Sequence, residues 1–265
     1  MSTVRTRELL GMPIAVTDYE QAMDAMEAMI ARPHPGYVCA VPVHSLMVSR
    51  HDPGMRAALL GAALNVPDGR PLVWALNMLG ERLGDRVYGP DLMDRFCARA
   101  ARHGHRMWLY GGATPEALDD LVRALEHRHR GLQIAGGWSP PHRPLTAAEE
   151  QDVVRRIDSD EADVVWVGLG VPKQELWMAR MRPRLRAPVL VGVGAAFDFL
   201  AGRKRQAPAW MQARGLEWLF RLAQEPLRLL PRYLRYNPAF VAAFARQWLR
   251  ERGERGRQGK SSGST

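Results

Sequence analysis

The sequence predicts an α/β protein: a mainly parallel sheet with helices on both faces, followed by a basic helical appendage. Three observations carry this prediction. Short β-rich runs alternate with segments of helical period, several of the runs end directly in glycine, and basic side chains concentrate after residue 202. Strands that alternate with helices imply parallel strands covered on both faces. In such sheets the ligand crevice lies at the carboxyl ends of the strands, where these glycine-rich turns fall.

In chain order, strands are predicted at Tyr37–Val41, Met107–Tyr110, Asp163–Val167 and Val189–Val193. Three of them run into glycine, at Leu109-Tyr-Gly-Gly112, Trp166-Val-Gly168 and Val191-Gly-Val-Gly194. Helices are clearest at Pro115–Arg130 and Thr146–Asp158. In the first, Leu118, Leu121, Val122 and Leu125 recur at helical spacing. Thr114 before Pro115 is an N-cap with proline in the first turn, and Thr146-Ala-Ala-Glu149 is a capping box. After Gly202, three short helices are expected at Ala209–Ala223, Pro226–Tyr236 and Pro238–Glu251, set off by Pro226, Pro231 and Pro238. The first is expected to dock on the body and the later ones to be more available. The Gly/Ser-rich, basic stretch Arg252–Thr265 reads as disordered. The division is therefore 1–202 as an α/β body, 203–251 as basic amphipathic helices and 252–265 as a tail.

A chain of 265 residues fits one large domain or two small ones and can bury a sizeable core without disulfide staples. With 46% apolar and 25% charged residues it is ordinary globular material. Cys39 and Cys97 lie in apolar surroundings and read as reduced core thiols of a cytosolic protein. No apolar run has the length of a spanning helix, and the first residues lack a signal-peptide core. The net charge of +9 is unevenly placed: residues 203–265 carry 14 Lys and Arg against 4 Asp and Glu, the rest 23 against 24. Such asymmetry points to an anionic partner, whether nucleic acid, membrane or phosphorylated substrate. A basic helix set with an aromatic face suits a membrane surface, and packing of the same aromatics onto the body is the plainer alternative.

The histidines are scattered and no His-Glu-x-x-His or Cys-x-x-Cys occurs, which argues against an intrinsic zinc site. A nucleophile elbow and a P-loop are also missing. Four constellations at strand ends are candidates for chemistry. Val66-Pro-Asp68-Gly69 sets a carboxylate in a tight turn, and Arg86-Val-Tyr-Gly-Pro-Asp91 sets an arginine and a second carboxylate around another. Gly170-Val-Pro-Lys173-Gln174-Glu175 opens a helix where backbone N–H groups can face a phosphate. Gly194-Ala-Ala-Phe-Asp198 leads into the basic helices. Gly111 and Gly112 join the same set of strand-end turns. Each has a structural reading too: Asp68-Gly69 is a common turn and Asp198 a helix cap.

Taken together, these stretches resemble the WecG/TagA/CpsF family of bacterial glycosyltransferases, glycosyltransferase family 26. The resemblance runs from about Met12 to about Phe240. It rests on Pro67-Asp-Gly69, Arg86-x-x-Gly-x-Asp91, Leu109-Tyr-Gly-Gly112, Val167-Gly-Leu-Gly-Val-Pro-Lys-Gln-Glu175 and Gly192-Val-Gly-Ala-Ala-Phe-Asp198. Ala207-Pro-Ala-Trp210, Gly215-Leu-Glu-Trp-Leu-Phe-Arg-Leu222 and Glu225-Pro-x-Arg228 complete it. The resemblance implies a Rossmann-like fold and an inverting transferase that needs no metal or other cofactor. It would move an N-acetylmannosamine-type or glucose-type sugar from a UDP-sugar to a polyprenyl-diphosphate-linked acceptor, in teichoic acid, common-antigen or exopolysaccharide synthesis. Asp68 matches the family's base, Arg86 its diphosphate-contacting arginine, Gln174 its pocket glutamine and Asp198 a further pocket carboxylate. Arg228 and Arg232 are the candidates for reaching over the site from the basic helices. One departure stands out. The family's Thr-x-Asn is here Ala40-Val-Pro42, ahead of His44 and Ser45, which either take over part of that role or leave donor choice or activity changed. His44 reads equally as a core histidine.

The expected partners are the UDP-sugar, the lipid-linked acceptor and an anionic membrane, with the protein peripheral on the inner face of the bacterial cell membrane. Self-association is left open by the pattern. Two other readings compete: a nucleic-acid-binding protein using its basic face, against which no recognition motif is visible, and a catalytically silent nucleotide-sugar-binding relative.

Overall fold

Alternation along the strands builds two cores. In β3 (Gly36–Val41), Tyr37, Cys39 and Val41 point to one side and Val38 and Ala40 to the other; in β7 (Val164–Gly168), Val165 and Val167 oppose Val164 and Trp166. Burial on both faces is the signature of a parallel sheet sandwiched by helices. The computed structural model describes residues 4–31 and 35–261, without the side chains of residues 209, 213 and 255–261.

With β4 (Leu64–Pro67), β5 (Arg106–Gly111), β6 (Gln133–Trp138) and β8 (Val189–Gly192), these strands form a six-stranded sheet in the order β4-β3-β8-β7-β5-β6. Every pairing in it is parallel. One face is covered by α2 (Val43–Val48), α3 (Pro53–Leu60), α4 (Arg70–Met78), α7 (Ala147–Ser159) and α8 (Lys173–Met181). The other is covered by α1 (Tyr19–Ile30), α5 (Gly89–His103), α6 (Pro115–Arg128) and α9 (Ala196–Leu200). β5 leads to β6 on one side and β7 to β8 on the other, so the connections diverge between β5 and β7, a topological switch point. Cys39 and Cys97 are free, buried thiols. The caps read from the sequence are present: Thr114 accepts from Ala117 N–H, and Thr146 and Glu149 close a reciprocal capping box.

Gly111 shows how closely the central strands approach. Its φ is +142°, and a β-carbon there would lie 2.7 Å from the carbonyl oxygen of Gly168. Gly111→Ala is expected to destabilise the fold by at least about 1 kcal/mol, read as a lower urea midpoint; an unchanged midpoint would mean that β5 and β7 can part without loss.

An antiparallel hairpin of β1 (Thr6–Leu9) and β2 (Met12–Ala15), not anticipated from the sequence, precedes the sheet. The C-terminal region also differs from expectation. It forms α10 (Ala209–Ala213), α11 (Glu217–Gln224) and one long helix, α12 (Pro226–Ser261), that passes through Pro231 and Pro238 and on through 252–261, where a disordered tail was expected. Residues 262–265 of that tail lie outside the described residues. Each interior proline costs about 3 kcal/mol; burial of Leu229, Phe240 and Phe244, at about 1.5–3 kcal/mol each, offsets it. Docking also extends further along the chain than expected. α12 packs on α2, and Gln247 reaches the hairpin, accepting from Leu10 N–H at 2.8 Å and donating to Glu8 C=O at 3.1 Å. α10 and α11 dock through Gln212 and Glu217, which meet Arg86, and leave Trp210, Trp218 and Leu219 exposed.

Candidate active site

Register places Asp68. Pro67 closes β4 opposite Val41 of β3, and the Asp68 N–H continues the ladder to Val41 C=O at 3.1 Å. The chain must then leave the sheet at Gly69, the N-cap residue of α4. Asp68 is thus held at a strand end, facing a cavity of about 950 Å³. Its Oδ1 accepts the Gly89 N–H at 2.9 Å. Burial raises its pKa to about 7, opposed by the nearby Arg86 guanidinium and the Gly89 amide.

The same cavity collects the other strand ends. Ala40 and Pro42 come from the end of β3, Tyr110 and Gly112 from β5, Gly168 to Val171 from β7, and Val193 and Gly194 from β8. Gln174, in the first turn of α8, is buried yet reaches the wall; its Oε1 accepts Gly194 N–H at 2.9 Å and its Nε2 donates to Glu175 Oε1 at 3.3 Å. Ser45 Oγ donates to that same Glu175 oxygen at 3.4 Å. Glu175 is fully buried, and burial pushes its carboxyl up to about 7. Gln174 is therefore aimed by a buried scaffold beneath the cavity floor.

The appendage supplies the opposite wall. Arg221, Arg228 and Arg232 line the cavity together with Lys204. Lys204 is committed to Asp198 at 2.9 Å and to Glu225 at 2.8 Å, and Arg228 pairs with Glu225. Arg232 is different. Its Nε is buried without a hydrogen-bond partner, and burial lowers its pKa to about 10. Arg221 lies over the Phe199 ring, 5.7 Å from its centroid. Among the described residues neither Arg221 nor Arg232 has a carboxylate partner. A buried cation held this way is costly unless an anion completes it.

The residues singled out from the sequence divide as follows. Asp68, Gly112, Gly170, Lys173, Gln174, Asp198, Arg228 and Arg232 line the cavity. Arg86, Gly69, Asp91, Gly111, Glu175, Ser45 and His44 are not among its lining residues. Arg86 is nearly buried; it pairs with Glu217 of α11, donates to Gln212 at 3.3 Å and lies 4.1 Å over the Tyr88 ring. Asp91 accepts the Tyr19 hydroxyl at 3.2 Å. His44 meets Tyr236 edge-on at 4.9 Å, its Nδ1 buried without a partner, and burial lowers its pKa to about 4, which keeps it neutral. It is half-buried where α2 meets α12. The place of the family's Thr-x-Asn is an apolar wall of Ala40 and Pro42.

Sequence reasoning missed Tyr88, Tyr110, Trp177 and Arg221, and the loop Pro140–Leu145 after β6, all of which line the cavity. Tyr88 lies inside the Arg86–Asp91 motif and Arg221 inside Gly215–Leu222, so both were within reach. The Pro-rich 140–144 run after a strand could have marked the loop.

A family model described as "Glycosyl transferase WecG/TagA/CpsF family" matches residues 7–254. Among curated proteins, the "N-acetylglucosaminyldiphosphoundecaprenol N-acetyl-beta-D-mannosaminyltransferase" of Staphylococcus aureus (strain MW2) is 31% identical over 168 residues, 63% of this chain and 64% of that protein. Proteins of the same name from strains NCTC 8325 / PS 47 and COL are 32% identical over 160 residues, 60% of this chain and 61% of theirs. The matched stretch thus spans less than two thirds of these relatives' length.

Proposed function

The chain belongs to the WecG/TagA/CpsF family of glycosyl transferases, and from that premise we propose that it is an inverting, metal-independent UDP-sugar transferase acting on a polyprenyl-diphosphate-linked acceptor. The observation that carries this reading is the pairing, across one cavity, of a half-buried carboxylate with cations that lack a partner: Asp68 faces the wall holding Arg221 and Arg232. Asp68 takes the proton from the acceptor hydroxyl as its oxygen attacks the anomeric carbon from the side opposite the diphosphate. The bond from that carbon to the phosphate oxygen breaks, and UDP leaves with its new charge held by the arginine wall. One base and no covalent intermediate give inversion. Guanidinium forks supply the neutralisation that a bound cation provides in other transferases.

The relatives' names support a lipid-linked N-acetylglucosamine diphosphate as acceptor and N-acetylmannosamine as the transferred sugar. The apolar wall of Ala40 and Pro42 favours a donor that asks for fewer hydrogen bonds there. Among the described residues no helix is long and apolar enough to cross a membrane. Exposed Trp210, Trp218, Leu227 and Leu234 among the arginines of the appendage suit contact with an anionic leaflet at the inner face of the membrane.

Calorimetric titration with UDP, with and without EDTA, tests the reading. Binding in the micromolar range that ignores the chelator is expected, followed by turnover of UDP-N-acetylmannosamine on the lipid-linked acceptor. Failure to bind UDP would overturn the reading, Ala40 and Pro42 having then removed the nucleotide site, whereas UDP binding without turnover would favour the catalytically silent relative. Binding that requires a divalent ion would overturn metal independence.

A further inference from the structure

At the opposite end of the sheet from the cavity, just before β5, two histidines two residues apart meet a carboxylate from far upstream. His103 ends α5, Gly104 turns the chain with φ +77°, and His105 follows, so two imidazoles come side by side. They face Glu27 of α1, whose Oε1 is 2.5 Å from His103 Nδ1 and 3.4 Å from His105 Nε2. All three ligand atoms lie within 4.8 Å of one another. We propose that Glu27, His103 and His105 bind a divalent transition-metal ion of the zinc class.

The donor set of two imidazoles and one carboxylate is suited to zinc, with water as fourth ligand. Bonds of about 2.0–2.1 Å to a tetrahedral ion set ligand atoms about 3.3 Å apart. The Glu27–His105 separation already fits. The Glu27–His103 separation must open, and His103 is half exposed, so its ring is free to swing. The other Glu27 oxygen is fixed by Arg99 at 3.2 Å, which leaves Oε1 turned to the histidines. Asp163 stands 4.0 Å from His105 Nδ1, beyond hydrogen-bond distance, and accepts the Arg106 N–H at 2.8 Å, so it adds negative charge beside the site without fixing the ring. Arg99 opposes a bound cation, but it is shared with Glu20 and Asp24 as well as Glu27, so the carboxylates prevail.

The site is separated from the cavity by the length of β5, so its test is independent of the transferase reading. The untagged, EDTA-stripped full chain is titrated with zinc in competition with a chromogenic chelator. One ion per chain with a low-micromolar Kd is expected, weakened at least 10-fold by His103→Ala, His105→Ala or Glu27→Gln, with UDP binding unchanged. His103→Ala alone decides if His105→Ala fails to fold, because the His103 side chain is 50% exposed. Absence of binding at micromolar zinc, or equal affinity in His103→Ala, overturns the proposal.

Discussion

Asp68→Asn is expected to lower the transfer rate by about 10²–10⁴-fold, the usual contribution of a positioned base, while changing the UDP Kd by less than about threefold. The substitution keeps the shape and the Oδ1 that accepts Gly89 N–H, so the turn after β4 should survive. The amide cannot take the acceptor proton. Retained turnover in the variant would remove Asp68 from that role. The pH profile supplies a second check. Because burial raises the Asp68 pKa to about 7, the base is mostly protonated below that pH. kcat/KM should therefore rise about tenfold per unit up to roughly pH 7 and level above it, a limb that is lost in the variant. The same shift destabilises the fold as pH rises: ionisation of Asp68 is disfavoured in the folded state, so its contribution is full below the ordinary carboxylate pKa and is lost as pH climbs through 7.

Deleting residues 203–265 is expected to abolish transfer and also to lower the melting temperature. The deletion removes Arg221 and Arg232 from the cavity wall and takes Glu217 away from Arg86. It also uncovers the surfaces that Leu229, Phe240 and Phe244 bury. At about 1.5–3 kcal/mol per side chain, the loss is a large part of a typical domain's stability. Membrane attachment is better separated by Trp210→Ser, Trp218→Ser, Leu227→Ser and Leu234→Ser combined, all on exposed positions. That variant should melt like the parent and bind UDP normally, yet leave anionic vesicles in a flotation assay. Vesicle binding that survives it would shift attachment to another face.

The strands of the central sheet were legible because buried parallel strands are short apolar runs, three of the four here ending in glycine: Tyr37–Val41, Met107–Tyr110, Asp163–Val167 and Val189–Val193 each fall within about a residue of β3, β5, β7 and β8. β6 carries Gly136 and Gly137 and is only partly buried, so its pattern was too weak to read. The prolines at 231 and 238 read as stops, since local chemistry disfavours them within a helix; packing against α2 decided otherwise. At the candidate site, Asp68 and Gln174 were legible from strand-end motifs. The partnership of Arg86 with Glu217 was not, because 131 residues separate them and no local spacing encodes the meeting. His103 and His105 likewise gain a third partner only through the packing of α1 beside α5.

The hold of Gln247 on the first hairpin has a consequence for biosynthesis. Leu10 N–H is satisfied by a side chain 237 residues downstream. During translation the six-stranded sheet, and the hairpin that packs on β4, can assemble once β8 has emerged from the ribosome, but the Leu10 N–H must wait for Gln247 of α12. At about 5–20 residues per second, the nascent chain spends several seconds with that amide unpaired. The last contact of the hairpin therefore closes late, and the turn at Leu10 stays open to solvent until α12 docks.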